Sequence, residues 1–136
     1  ISLGLVGSEM CIRDRIMNRW VLLEHKILGS KLIDIHYDFL VEDQLDCFTW
    51  KFHKIPLPNK GVVKIVKQPN HRLVWLSRVE YQLSNNRGLV KRIDHGTFSC
   101  ISHNQDSQEL KIILNGELLN GLFIIDGNFC HLTKNN

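Results

Sequence analysis

From Met17 onward the chain alternates short apolar runs with turn signals, and no stretch sustains the 3.6-residue apolar stripe of a major helix. The pattern therefore predicts strands. "RWVLLEHKI" reads as a first strand, "KILGSKLID" as a loop around Gly29 and Ser30, and "IHYDFLVED" as a second strand. "LDCFTWKF" follows as the hairpin partner of the second, after a turn at Glu42 to Gln44. "HKIPLPNKGVVKIVKQPN" holds all three prolines, Pro56, Pro58 and Pro69, and reads as a long surface connection with a short extended piece near Val62 to Val66. "SRVE" at Ser77 to Glu80 has the capping-box spacing of one helical turn, and "SNNRG" at Ser84 to Gly88 reads as a tight loop. "LVKRIDHGTFSCI", "ELKIILNG" and "GLFIIDG" add three strands and "FCHLT" a last one, with "NGELLNG" supplying residues that tolerate positive φ. Six or seven strands at hairpin spacing predict an all-β domain, a small antiparallel β-barrel or a compact sandwich, with the barrel, long loops and at most one short helix as the expected form.

Length and charge narrow this picture slightly. A chain of 136 residues suits one domain with its own core. Lys and Arg outnumber Asp and Glu by 17 to 14, which permits a polyanionic partner without requiring one. The cysteines Cys11, Cys47, Cys100 and Cys130 form no C-x-x-C pair, so neither a zinc knuckle nor a secreted disulfide framework is indicated. Cys47, Cys100 and Cys130 read as small buried hydrophobes on strands. Residues 1–15, "ISLGLVGSEMCIRDR", lack the charge order and cleavage site of a signal peptide and are too short to span a membrane. They resemble translated adapter sequence, so the expected domain runs over 16–136, in a cytoplasmic monomer without membrane contact.

Candidate chemistry enters with "HYD". On a strand, Ile35, Tyr37, Phe39 and Val41 share one face and His36 and Asp38 the other. Their i, i+2 spacing sets the two polar residues about 6 to 7 Å apart at the backbone, within reach of one shared ion. His25, at the end of the first strand, would complete a two-histidine, one-carboxylate set suited to Mn²⁺ or Fe²⁺, with Zn²⁺ as an alternative. Trp50 and Trp75 read as packing residues, and His53, His95, His103 and His131 receive no role.

In order, "LLEH", "HYDFLVED", "TWKFHKIP", "PNHRL", "RGLVKRIDHGTF" and "LKIILNGELLNGLFII" resemble the 3′-phosphoesterase domain of bacterial DNA ligase D and its short stand-alone relatives. The resemblance spans Trp20 to Asp126. It implies a β-barrel enzyme of DNA repair that uses Mn²⁺ to remove a 3′-phosphate or 3′-ribonucleoside from a DNA or primer-template end, leaving a 3′-hydroxyl for a DNA ligase. The metal ligands it implies are His25, His36 and Asp38. Lys54 matches the phosphate-contacting lysine and His71 a further active-site histidine, which would hydrogen-bond the phosphate or protonate the leaving oxygen. Arg72, Arg87, Lys91 and Arg92 are candidates for contacts along the nucleic-acid backbone. The chain departs from the family at Leu40, where an arginine is expected, at Val63 in place of a basic residue, and at Trp75 in place of tyrosine. The alternative is therefore a catalytically weakened barrel that binds nucleic-acid ends or a repair partner.

Overall fold

A computed structural model describes residues 18–29 and 32–134. The leader over 1–15, Met17 and Ser30 of the first loop lie outside the described residues. The strands are β1 (Arg19–Leu28), β2 (Ile33–Glu42), β3 (Cys47–Phe52), β4 (Val63–Lys64), β5 (Val66–His71), β6 (Glu80–Gln82), β7 (Leu89–Asn104), β8 (Glu109–Asn115), β9 (Gly121–Asp126) and β10 (Phe129–Thr133). A single 3₁₀ turn, Leu73–Leu76, is the helical element among the described residues. The chain is thus all-β, as the alternation of runs and turns indicates.

All ten strands join one antiparallel sheet in the order β4-β10-β9-β8-β7-β1-β2-β3-β5, with β6 paired to β7. The hydrogen-bonded order is open, yet its two ends are consecutive in the chain. β4 pairs with β10, β5 pairs with β3, and only Ile65 separates them. Ile65 is buried and donates its N–H to the Asn128 carbonyl at 2.8 Å. The sheet therefore curls into a barrel whose seam is crossed by covalent chain rather than by a ladder.

Residues at alternate positions fill the interior: Trp20 and Leu22 from β1, Phe39 and Val41 from β2, Trp50 and Phe52 from β3, with Ile112, Leu114 and Phe123 opposite. Tyr37 packs at the margin of this core, so the apolar face expected for β2 is the interior face. The continuous runs "WVLL" and "FLV" have a second cause. Val21, Leu23 and Leu40 point outward and are buried beneath Leu76, with Leu73, Trp75 and Leu83 packed against them. Strands covered on both faces lose simple alternation.

Two local expectations change. Ser77 closes the 3₁₀ turn instead of opening a helix, and Glu80 begins β6. The capping-box spacing is overridden because the 78–82 segment pairs along β7, with Arg92 N–H bonded to the Val79 carbonyl at 2.8 Å. The segment read as a surface connection contains β5, including Pro69. That strand lies at one end of the hydrogen-bonded order, where a residue without an N–H is tolerated. Cys47 and Cys130 are buried free thiols, whereas Cys100, half-buried beside the core, is disulfide-bonded and departs from the reading of all three as inert hydrophobes. Among the described residues no helix is long and apolar enough to cross a membrane.

Candidate metal centre

β1 and β2 pair so that His25 stands directly opposite His36 and Leu23 opposite Asp38. Side chains at facing positions of an antiparallel pair lie about 4.5–5.5 Å apart at Cβ. The i, i+2 step from His36 to Asp38 therefore brings three donors to one spot. One ligand atom from each of His25, His36 and Asp38 lies within 4.8 Å of the others. His25 Nδ1 is 3.2 Å from His36 Nε2, which is 3.5 Å from Asp38 Oδ2. Atoms held about 2.1 Å from one ion at tetrahedral or octahedral angles sit roughly 3.0 to 3.5 Å apart. The donor set and its spacing fit a divalent cation.

Hydrogen bonding fixes how the imidazoles present themselves. His25 Nε2 lies 2.7 Å from the Arg87 carbonyl, which can only accept, so Nε2 carries the proton and Nδ1 turns its lone pair toward His36. Two lone pairs cannot face each other at 3.2 Å without a cation between them. In the free protein His36 Nε2–H supplies that proton; a metal would replace it. Burial pushes the His36 pKa down, outweighing an upward pull from Asp38, and Lys51 adds to the lowering, so the ring favours the neutral, ligating form. The His36 and Asp38 side chains are only 13% and 12% exposed, enough for a ligand to reach but not for bulk water to dominate.

The site opens on the outer face of the barrel, not the interior. A cavity of about 190 Å³ is lined by His25, Asp38, His71 and Arg87 among polar residues, with Leu23, Trp75, Leu83 and Val90 as its apolar wall. His71 Nδ1 is 3.1 Å from the Pro69 carbonyl, which makes it the protonated nitrogen and leaves Nε2 for the cavity. The Arg87 guanidinium is tied to Ser84 through Nε at 3.1 Å and Nη2 at 3.1 Å. Leu40 points to this side of β2 but is fully buried under the 3₁₀ turn, so no group from position 40 reaches the cavity.

The remaining candidates are dispersed. Lys54 lines a neighbouring groove with Lys51, His53 and Lys64 rather than the cavity of His25 and Asp38. Arg92 lines a separate cleft beside Asp94 and Glu117. Lys91 stands opposite Glu24 and Glu80 in the sheet, and Arg72 is an exposed residue before the 3₁₀ turn. Asp94 is buried and structural: Oδ1 accepts from the His95 and Glu117 N–H groups, Oδ2 from those of Leu118 and Leu119. Sequence reasoning passed over Lys51 and His53. Lys51 faces Asp38 across β2 and β3, a placement that follows once the hairpin register is counted out. Compared with known proteins, the chain matches no family model and no curated protein.

Proposed function

We propose that this protein is a metal-dependent phosphoesterase that trims 3′-phosphate or 3′-ribonucleoside ends of nucleic acid during DNA repair. The observation that carries the reading is the meeting of His25, His36 and Asp38 beside a cavity that also admits His71 and Arg87. Two imidazoles, a carboxylate, a third imidazole and a guanidinium are a donor set for one divalent cation and one phosphate.

His25, His36 and Asp38 would hold Mn²⁺, with Zn²⁺ or Fe²⁺ as alternatives; when bound, the ion supplies Lewis acidity toward a phosphate oxygen. The chain's own groups do the rest. Arg87, anchored to Ser84, offers a planar guanidinium to the phosphate and takes over the task that an arginine at position 40 would have had. His71, oriented by the Pro69 carbonyl, faces the leaving 3′-oxygen through Nε2 and gives it a proton as the phosphorus–3′-oxygen bond breaks, while a water molecule admitted to the cavity forms the new phosphorus–oxygen bond. Lys54 contributes a second positive charge from the adjoining groove, beyond the first phosphate. Trp75 and Leu83 wall the cavity and limit water around these groups.

The test is conversion of a labelled primer-template ending in a 3′-phosphate or one 3′-ribonucleotide, with and without Mn²⁺, for the wild-type chain and His36→Ala. A 3′-hydroxyl product that requires both the ion and His36 is the expected result. A folded, Mn²⁺-binding protein that produces none would leave a nucleic-acid-binding module instead.

A further inference from the structure

The outer face of the sheet continues past the metal centre, and toward β3 and β4 the charged side chains that line it are basic. Asp38 on β2 faces Lys51 on β3, and Lys51 in turn faces Val66 on β5. Just beyond this row lies a groove of about 410 Å³, lined by Lys51, His53, Lys54 and Lys64 over Val62 and Val66. We infer that this groove receives the sugar-phosphate backbone of the single strand whose 3′ end reaches the metal centre; the inference rests on the function proposed above.

Three observations carry it. First, the groove adjoins the site: the His53 ring lies 6.3 Å from the His36 ring, centroid to centroid. Second, the lining itself carries positive charge alone, although Asp38 stands beside Lys51 at its edge. No carboxylate lines it, and among the described residues none of the three ammonium groups is ion-paired. The other clefts differ, since Asp94 and Glu117 line the one around Arg92, Glu109 lines the one around Lys67, and the one beside Gly88 is lined by no charged residue. Third, Val62 and Val66 are 65% and 46% exposed, an apolar floor on which a sugar can rest between charged walls. Lysines on flexible stems act as point charges that track phosphates without reading bases. His71, Arg87 and the metal ligands then engage the terminal phosphate, while Lys51, Lys54 and Lys64 hold the strand behind it.

The experiment is fluorescence anisotropy of a labelled oligodeoxythymidylate with the full chain in EDTA, titrated over a range of salt. For single strands the log–log salt slope falls by about 0.7 per phosphate contact removed. The double variant Lys51→Gln/Lys64→Gln is expected to bind several-fold more weakly, with a slope lower by about 1.4. Lys134→Gln, an exposed lysine outside the groove, is expected to keep the wild-type slope. Unchanged melting temperatures confirm that all variants fold. An unchanged slope in the double variant, an equal loss in Lys134→Gln, or no binding by the wild type overturns the inference. Groove-dependent binding without Mn²⁺-dependent conversion would instead remove the phosphoesterase reading and leave the groove standing.

Discussion

A single carboxylate, that of Asp94, accepts four backbone N–H groups at 2.8 to 3.2 Å and so fastens the loop between β8 and β9 to β7. The loop must come this close. A Cβ at Gly116 would lie 2.5 Å from the Trp20 ring and 2.8 Å from Asp94 Oδ2, which explains a glycine there. Hydrogen bonds to a charged acceptor contribute about 1.5–3 kcal/mol each at most, and buried donors left unpaired cost about 1–3 kcal/mol. Asp94→Ala is therefore expected to lower unfolding free energy by about 3 kcal/mol in urea denaturation, while metal affinity of the folded fraction is unchanged. A loss of metal affinity without a loss of stability would show instead that Asp94 serves the site. The same scale shows what spacing alone could give. His25, His36 and Asp38 were legible because strand periodicity fixes faces. Asp94 was ambiguous because an aspartate near a glycine reads equally as turn chemistry, and three of its four partners lie more than twenty residues away.

At the scale of elements, the tight loop between β6 and β7 matters more than its length suggests. Asn85 and Asn86 take positive φ, and Gly88 sits at φ +107° against β1, where an added Cβ would lie 2.3 Å from the Lys26 carbonyl oxygen. This contact delivers the Arg87 carbonyl to His25 Nε2. Partners that orient a ligating histidine typically change metal affinity by about 10–100-fold when lost. Gly88→Ala is expected to weaken Mn²⁺ or Zn²⁺ binding by a factor in that range in calorimetric titration, with a stability cost of about 1–3 kcal/mol. A stability loss with unchanged affinity would detach the loop from the metal centre. The "SNNRG" punctuation predicted the loop, because Asn and Gly are the residues that tolerate left-handed backbone. Its neighbour across β1 was not readable from local sequence. Nor was the cover over the outer face: "WVLL" and "FLV" signal burial on both sides, but which segment supplies the second side depends on where the chain after β5 returns.

Across the whole molecule, a few buried titratable groups bound the pH range in which the barrel is stable. Burial, reinforced by Lys67, pushes the His103 pKa below its usual 6.5. Below that pH the unfolded chain takes up a proton that the folded chain resists, so stability falls as pH falls through this region. Cys47 and Cys130 act at the other end, where burial raises each thiol from 9.0 to about 12. Between those values the unfolded chain has released protons that the folded chain retains, so stability falls as pH rises, by about 1.4 kcal/mol per pH unit for each thiol. The melting temperature is therefore expected to plateau from about pH 6.5 to 9 and decline on both sides. Cys130→Ala should roughly halve the slope of the alkaline limb, leaving the part due to Cys47, and His103→Asn should reduce the acid limb to the part due to His36, each without touching the other. They can act separately because Cys130 stands on β10 within the barrel core, while His103 stands on β7 against the Phe48 ring at 5.3 Å. An alkaline limb that survives removal of both thiols would mean that another group, rather than the buried cysteines, sets the upper bound.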